Sequence, residues 1–351
     1  MASLNEMSAR ATEGTAVRPI RSRAPIRLDL AGGWTDVPPF SQREGGAVVN
    51  AGINRYTYAT LIPRPDEAIR IVSADFDQFL EVRSFREIEY DGNLDLIKAA
   101  IQRLGIREGM DLFVRCDAPP GSGTGSSASI SVALIGLLNR LQQEKLSTHE
   151  VARLAYQLEQ EELRIAGGKQ DQYASALGGF NFLEFSDPVV SVSQLRLADS
   201  TIDELEKRLV LCYTGKSRLS GNLINTVMNA YLDGRPETVA ALRNLRRLAR
   251  DMKTILLAGD LESFGEVLQE NWANQRELDA SITNGTIDSL FEHALANGAV
   301  GGKALGAGGG GCLLFYSEPD REHLLRKALE ARGVQVIEFN FDARGLQTWT
   351  A

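Results

Sequence analysis

The chain has 351 residues, 43% hydrophobic and 24% charged, a composition typical of a soluble globular protein with room for two domains. Its formal net charge of −8 argues against nucleic acid or an anionic membrane as the main partner, because both attract basic surfaces. No stretch approaches the about eighteen consecutive apolar residues of a membrane span, and the first residues lack the apolar core of a secretory signal. Cys116, Cys212 and Cys312 lack the paired spacing of a zinc site and predict buried thiols in a reducing cytoplasm.

Three regions follow from changes in pattern along the chain. We predict a flexible tail over residues 1–20, an N-terminal domain over residues 21–190 and a C-terminal domain over residues 191–351. The junction is placed near Asp187 and Pro188, where hydrophobic periodicity is lost.

The first predicted strand carries charge on one face. Its apolar positions alternate and share the other face: Ile26, Leu28 and Leu30. Arg27 and Asp29 therefore lie on the opposite face of the strand, which we expect to line a functional cleft. The alternative is that this face is exposed to solvent. The following Gly32-Gly33 pair predicts a sharp turn that presents the next three side chains at the end of the strand. These side chains are Trp34, Thr35 and Asp36.

A glycine-rich loop follows a strand predicted over residues 112–116 and precedes an apolar run over residues 130–138. Its members are Pro120, Gly121, Ser122, Gly123, Thr124, Gly125, Ser126 and Ser127. Alternating glycines allow a tight backbone whose N–H groups converge at a helix N-terminus, which predicts a polyphosphate site. The loop lacks the spacing of a Walker P-loop or of a dinucleotide fingerprint. A structural turn that only joins a strand to a buried helix is the alternative.

Acidic residues surround a second glycine pair. Ser147 and Glu150 have the spacing of a capping box, which predicts a helix running to about Leu163 and ending at Gly167-Gly168. Asp171 follows the glycine pair and is a candidate base, while Glu159, Glu161 and Glu162 are candidate metal carboxylates. The alternative is a solvated acidic helix face with Asp171 stabilising the next helix N-terminus.

The C-terminal half is predicted to be mostly helical after a strand over residues 209–213. Lys216 and Arg218 lie on the polar turn that follows this strand. A second glycine loop over residues 301–311 precedes a strand, and we expect it to pack over the first loop and close the phosphate site. A helix and a strand then complete a β-α-β unit.

Three stretches, in this order, resemble the GHMP kinase superfamily: the strand with Arg27 and its Gly-Gly-Trp-Thr-Asp turn, the loop over residues 119–128, and the glycine run over residues 306–311. The resemblance implies an α+β, two-domain GHMP kinase fold, with an N-terminal α/β domain, a C-terminal ferredoxin-like α/β sandwich and the active site between them. It also implies a cytoplasmic enzyme, monomer or homodimer, that uses ATP and Mg²⁺ to phosphorylate a small molecule.

The resemblance assigns roles to individual residues. Residues 120–127 would bind the nucleotide, with Ser127 and Glu162 holding Mg²⁺. Asp171 would take the proton of the substrate hydroxyl, and Arg27 would stabilise charge on the transferred phosphoryl group. The predicted substrate-binding residues are Gly33, Trp34, Thr35, Asp36, Gly168, Lys169, Lys216, Arg218 and Gly308.

Within the superfamily, residues 168–174, 213–218 and 302–311 are most similar to the D-glycero-D-manno-heptose 7-phosphate kinases. These enzymes phosphorylate the anomeric hydroxyl on the way to nucleotide-activated heptose for surface polysaccharide. Trp34 departs from the glycine expected there and resembles the kinase part of L-fucokinases, so a free-sugar kinase is an alternative. A non-catalytic sugar sensor and a decarboxylase of a phosphorylated isoprenoid acid are further alternatives.

Overall fold

The computed structural model describes residues 18–74, 78–215 and 221–351, so most of the predicted tail lies outside the described residues. The strands are β1 (Ile20–Ala31), β2 (Gly46–Pro63), β3 (Ile69–Ser73), β4 (Gln78–Val82), β5 (Met110–Cys116), β6 (Phe180–Ser186), β7 (Val189–Leu195), β8 (Leu209–Tyr213), β9 (Ala299–Ala304), β10 (Cys312–Ser317), β11 (Gln335–Ile337) and β12 (Gln347–Thr350).

The described residues form eleven α-helices. They are α1 (Phe40–Arg43), α2 (Asp95–Leu104), α3 (Ser126–Asn139), α4 (Thr148–Gln157), α5 (Gln170–Leu177), α6 (Asp199–Arg208), α7 (Gly221–Leu232), α8 (Pro236–Ala258), α9 (Leu261–Glu277), α10 (Gly285–Ala296) and α11 (Glu322–Ala331). Short 3₁₀ turns occupy Phe85–Glu87 and Ala280–Ile282, and a π-helical turn occupies Leu158–Glu162.

The first sheet contains eight of the described strands, in the order β12-β1-β2-β5-β3-β4, with β6 on β2 and β7 on β6. The long strand β2 makes this arrangement possible, because residues 46–51 pair with β6 and residues 57–63 pair with β5. The pairs are antiparallel except for β3 with β5. The result is a largely antiparallel sheet covered by helices α2 to α5 through one apolar core.

The second sheet is antiparallel and has the order β11-β8-β10-β9 among the described strands. In chain order it reads as β8, helices, β9, β10, α11 and β11, which is the βαββαβ arrangement of the ferredoxin-like fold. A separate apolar core fills the space between this sheet and its helices. The predicted ferredoxin-like sandwich is therefore confirmed.

Strand β1 shows the predicted division into two faces. Ile26, Leu28 and Leu30 enter a third apolar core that contains residues of both sheets. The side chains of Arg27 and Asp29 alternate with them and line a cavity between the two domains. The cleft interpretation of this charged pair is correct.

Helix α3 is the buried centre of the N-terminal domain. Residues 128–138 are all buried, as expected for a helix that is apolar on every side. The hydroxyl of Ser22 on β1 donates a 2.7 Å hydrogen bond to the carbonyl of Ala133 and fixes the helix on the sheet. This burial holds the N-terminus of α3, and the glycine loop before it, in a fixed place.

No single position in the sequence separates the residues of the first sheet from those of the second. The predicted boundary at residues 190/191 falls inside β7, which pairs with β6 along its length. Strand β7 shows little hydrophobic pattern because most of its side chains are exposed or half-buried. At the other end, β12 returns to the first sheet and pairs with β1.

Helix α4 begins at the predicted capping box but ends earlier than expected. The Ser147 side chain accepts from the Glu150 N–H while the Glu150 carboxylate accepts from the Ser147 N–H. The α-helix ends at Gln157 and continues as the π-helical turn, so Gly167-Gly168 is not its C-cap. This difference decides which carboxylate enters the site.

Candidate active site

Two glycine loops, one from each domain, form one wall of the cavity. Gly121, Gly123 and Gly125 have φ values of +67°, +76° and +75°, which side chains disfavour. The Cys312 N–H donates to the Ser122 carbonyl at 2.7 Å. A Cβ at Gly123 would lie 2.4 Å from the Leu305 carbonyl oxygen. The second loop therefore packs over the first, as expected.

The first loop leads into the N-terminus of helix α3 beside the cavity. The loop residues that line the cavity are Gly121, Gly123, Gly125, Ser126 and Ser127. The first-turn N–H groups of a helix have no partner within it, and its dipole favours an anion there. The loop can therefore hold phosphate oxygens.

Three of the predicted nucleotide-binding residues support the loop and do not line the cavity. The hydroxyls of Ser122 and Thr124 are buried and lie 2.6 Å apart in a hydrogen bond. Pro120 is likewise absent from the lining. Their contribution is to shape the backbone that presents the glycines.

Arg27 and Asp171 form a two-point ion pair in the middle of the cavity. The guanidinium Nε lies 2.8 Å from Oδ1 of Asp171, and Nη2 lies 2.9 Å from Oδ2. Nη1 of Arg27 donates to the Gly123 carbonyl at 2.6 Å, which ties the pair to the loop. Burial opposes the charge of Arg27, but the carboxylates of Asp171 and Asp29 outweigh it and raise the pKa of the guanidinium.

Asp171 lies in the first turn of α5, so the predicted position at a helix N-terminus is correct. Its side chain remains 27% exposed to the cavity, whereas that of Arg27 is 3% exposed. A substrate can therefore reach the carboxylate while the guanidinium stays fixed behind it.

The turn after β1 builds the opposite wall. Gly33, Trp34 and Asp36 line the cavity, and Trp34 has a φ of +81°. The backbone N–H of Gln170 donates to Oδ2 of Asp36 at 3.0 Å. Burial raises the pKa of Asp36 to about 6, against the lowering effect of this hydrogen bond.

Thr35 holds the turn in place and is absent from the cavity lining. Its buried hydroxyl lies 2.8 Å from the Gly32 carbonyl and accepts from the Ala47 N–H at 3.0 Å. Thr35 therefore positions Trp34 and Asp36.

The carboxylate beside Ser127 is that of Glu159 and not that of the predicted Glu162. The Ser127 hydroxyl donates to Oε1 of Glu159 at 2.8 Å, and the amide of Gln172 donates to Oε2 at 2.6 Å. Glu162 instead accepts from the hydroxyl of Tyr90 and does not line the cavity. Residues three apart share a face of an α-helix, but the wider π-helical turn separates them.

Glu159 is buried, and among the described residues no cation pairs with it. Burial raises the pKa of Glu159 to about 7, with the Ser127 hydrogen bond opposing and the Asp171 charge adding to the increase. A buried carboxylate next to a hydroxyl and a phosphate-binding loop fits a hard divalent cation, which prefers oxygen ligands.

Of the other predicted substrate-binding residues, some line the cavity and others do not. Gly168 and Gly308 line the cavity. Lys169 is absent from the lining and pairs with Asp187 at 2.6 Å. Lys216 and Arg218 lie outside the described residues.

Sequence reasoning missed the role of two residues in the cavity wall and one behind it. Gln172 fixes Glu159, and Asp29 on β1 pairs with Lys303 on β9. The alternation of β1 placed Asp29 in the cleft, but no local pattern identifies Lys303 as its partner. The whole cavity has a volume of about 260 Å³.

Comparisons with known proteins identify the family of the chain. The family models for the GHMP kinases N terminal domain and the GHMP kinases C terminal domain match residues 94–179 and 241–335. The D-glycero-alpha-D-manno-heptose 7-phosphate kinase of Campylobacter jejuni is 33% identical over 340 residues, with 95% of this chain and 99% of the relative covered. The chain belongs to the GHMP kinases. The predicted α+β two-domain GHMP kinase fold is thereby confirmed, and this GHMP kinase transfers a phosphoryl group from ATP.

A solved structure and a plant relative extend the comparison. The crystal structure of a D-glycero-D-manno-heptose 1-phosphate kinase from Bacteroides thetaiotaomicron matches this GHMP kinase with a TM-score of 0.80 and 32% identity, over 95% of this chain and 99% of that one. The bifunctional fucokinase/GDP-fucose pyrophosphorylase of Arabidopsis thaliana is 28% identical over 324 residues, which are 87% of this chain and 30% of the plant enzyme. Among the described residues, no helix of this GHMP kinase combines the length and the apolar character needed to cross a bilayer.

Proposed function

We propose that this ATP-dependent sugar kinase phosphorylates the anomeric hydroxyl of D-glycero-D-manno-heptose 7-phosphate. The product would be the 1,7-bisphosphate, a precursor of nucleotide-activated heptose for surface polysaccharide. The observation that carries the proposal is the Arg27–Asp171 pair, which contacts the first glycine loop and shares one cavity with the second. Phosphoryl transfer depends mainly on positioning and charge stabilisation, and this pair with the loops offers both.

In this proposal the first glycine loop binds the ATP phosphates. Gly121, Gly123 and Gly125 let the backbone approach closely, and the N-terminus of α3 supplies N–H donors and a favourable dipole. The second loop, at Gly306 and Gly308, closes the same wall. ATP would therefore lie across the domain junction.

Ser127 and Glu159 are the residues that would hold Mg²⁺. Their direct contact and the burial of Glu159 fit a cation that takes few protein oxygens and the rest from phosphate and water. When bound, Mg²⁺ neutralises charge on the nucleotide phosphates. Gln172 keeps the carboxylate of Glu159 in place through Oε2.

Asp171 and Arg27 have different roles at the acceptor hydroxyl. The hydroxyl oxygen forms a bond to the γ-phosphorus of ATP, the bond from that phosphorus to the β,γ-bridging oxygen breaks, and ADP leaves. The carboxylate of Asp171 accepts the hydroxyl proton. Arg27 orients Asp171 and offers positive charge to the transferred group.

The substrate assignment rests on the 33% identity to the Campylobacter jejuni heptose 7-phosphate kinase across nearly the whole chain. A phosphorylated sugar needs cations at the end of the site away from ATP. We assign this role to Lys216 as a point charge and Arg218 as a two-point fork. The alternatives for this turn are two solvated charges or a contact with ATP.

The test of this assignment is the Lys216→Ala/Arg218→Ala double variant, assayed on the heptose with and without its 7-phosphate. We expect a selective loss of kcat/KM on the phosphorylated sugar, because that substrate alone would leave an anion unpaired. An equal loss on both sugars would contradict a 7-phosphate site.

A free-sugar 1-kinase is the second candidate, and Trp34 favours it. Its large ring, buried in the cavity wall, occupies a place where the heptose kinases are expected to have glycine, and the plant fucokinase match points the same way. ADP release from a panel of heptose 7-phosphate, heptose, L-fucose, galactose and mannose separates the candidates. The highest kcat/KM on L-fucose would favour the second.

We place the reaction in the cytoplasm, where ATP is available. We also propose that the enzyme acts as a monomer or a homodimer, because all the residues assigned above belong to one chain.

A further inference from the structure

A second buried ion pair joins Asp29, which lines the cavity, to Lys303, which does not. Nζ of Lys303 lies 2.7 Å from Oδ2 of Asp29, and the two side chains are 0% and 3% exposed. Asp29 comes from β1 of the first sheet and Lys303 from β9 of the second, so the pair joins the two domains. Burial lowers the pKa of the Lys303 ammonium, and the Asp29 carboxylate opposes this change.

Only one oxygen of Asp29 is used by this pair. Oδ1 is buried and accepts no hydrogen bond from any described residue. An acceptor that is buried without a partner costs free energy, and native proteins keep few of them. A purely structural ion pair does not account for the second oxygen.

Asp29 lies against the turn to which the substrate is assigned. It lines the same cavity as Trp34 and Asp36. A Cβ at Gly33 would lie 2.1 Å from Oδ2 of Asp29, so a side chain at position 33 would displace the carboxylate. Glycine at this position therefore leaves room for the carboxylate beside the turn.

We propose that Asp29 is a specificity-determining residue whose Oδ1 accepts a hydrogen bond from a non-reacting hydroxyl of the sugar, with Lys303 as its positioning residue. The inference rests on the proposed function in requiring a polyhydroxy substrate, but it does not require a heptose. Lys303 holds Oδ2, which leaves Oδ1 for the ligand. Because Lys303 lies in β9, three residues before Gly306, the pair also connects the strand that carries Asp29 to the second glycine loop.

The first experiment measures steady-state kinetics of Asp29→Asn on whichever panel sugar the wild type uses best. Assaying the best sugar separates this inference from the choice of heptose 7-phosphate. We expect the KM for the sugar to rise about tenfold to a hundredfold, as for loss of a hydrogen bond to a charged group, with the KM for ATP changed less than about twofold. An unchanged sugar KM, or equal changes in both KM values, would overturn the proposal.

The second experiment identifies the hydroxyl with monodeoxy analogues of the same sugar. In the wild type, one analogue should lose about tenfold to a hundredfold in kcat/KM. In Asp29→Asn the same analogue should lose little further, because the two changes remove one contact. If every analogue loses the same factor in both enzymes, Asp29 contacts no sugar hydroxyl.

Two further variants control for folding. Asp29→Asn/Lys303→Met removes both charges, so that no unpaired cation is buried, and it should show the same sugar-selective KM defect. Asp95→Asn disrupts the pair of Asp95 with buried Lys98, outside the cavity, and should leave both KM values unchanged. A double variant that folds with a normal sugar KM would also overturn the proposal.

Discussion

At the scale of single residues, the proposed mechanism depends on how the side chain of Asp171 is held. Its carboxylate meets Arg27 at two points and is also the more exposed member of the pair. The guanidinium is fixed in turn by the Gly123 carbonyl. A base that is oriented in this way has little freedom to lose when the substrate arrives.

Asp171→Asn should fold and bind ATP but lose phosphoryl transfer by about a hundredfold or more, because the amide cannot accept the hydroxyl proton. ADP release measures turnover, and nucleotide titration measures binding. The matched control is Asp111→Asn, which alters a similarly exposed carboxylate paired with Arg64 outside the cavity. Normal turnover of a folded Asp171→Asn protein would remove Asp171 from the mechanism.

The position of Glu159 leads to a prediction that separates two nearby carboxylates. Glu159→Gln should raise the Mg²⁺ concentration needed for half-maximal activity by about tenfold or more, since it removes a charged ligand. Glu162→Gln should overlay the wild-type titration, because Glu162 contacts Tyr90. Ser127→Ala should behave like Glu159→Gln. The reverse order of the two glutamate variants would contradict the assignment.

Burial of Asp36 predicts a pH dependence of stability. Its pKa is about 6 in the folded chain and 3.8 as an ordinary aspartate, so the folded state binds the proton more tightly. The resulting stabilisation, up to about 3 kcal/mol, is complete below about pH 4 and is lost as the pH rises through about 6. Asp36→Asn lacks this titration.

Urea unfolding of the wild type and Asp36→Asn between about pH 4 and pH 7 tests this sign. The free energy of unfolding of the wild type, relative to the variant, should fall as the pH rises through this range. A difference between the two proteins that is independent of pH would show that the Asp36 pKa is not raised.

At the scale of elements, the contact between the two glycine loops is the feature most open to test. Gly123→Ala would place a Cβ 2.4 Å from the Leu305 carbonyl oxygen, at a φ of +76°. We expect a raised KM for ATP and a lower melting temperature. Gly105→Ala is the control, since its φ of +65° is similar but no atom would lie within 4 Å of the new Cβ. An equal effect of the two variants would show that the loop contact is unimportant.

The sequence predicted some elements well because their signals are local. The alternation in β1, the capping box of α4 and the glycine loop before α3 each depend on a few neighbouring residues. The π-helical turn has no such local signal, so the sequence does not show that Glu159, and not Glu162, lies beside Ser127. Lys303 was missed because its partner, Asp29, lies on a distant strand of another sheet.

At the scale of the whole molecule, the two domains are joined by more than the chain crossing between them. A shared apolar core, the return of β12 to β1 and the Asp29–Lys303 pair all cross the junction. The order of three motifs predicted this two-domain fold. The periodicity of the sequence does not show that β7 pairs with β6 or that β12 returns to the first sheet, because β7 is largely exposed and β12 lies far along the chain. The cavity therefore depends on both domains of the chain being folded and packed together.

In the proposed reaction, the enzyme transfers a phosphoryl group from ATP to the anomeric hydroxyl of D-glycero-D-manno-heptose 7-phosphate. The most direct test is ³¹P and ¹H NMR of the product formed by the wild type from this sugar, with kcat/KM measured beside that for L-fucose. We expect the higher kcat/KM for the heptose phosphate and a new phosphate coupled to the proton on C1. A new phosphate on another carbon, or a higher kcat/KM for L-fucose, would contradict it.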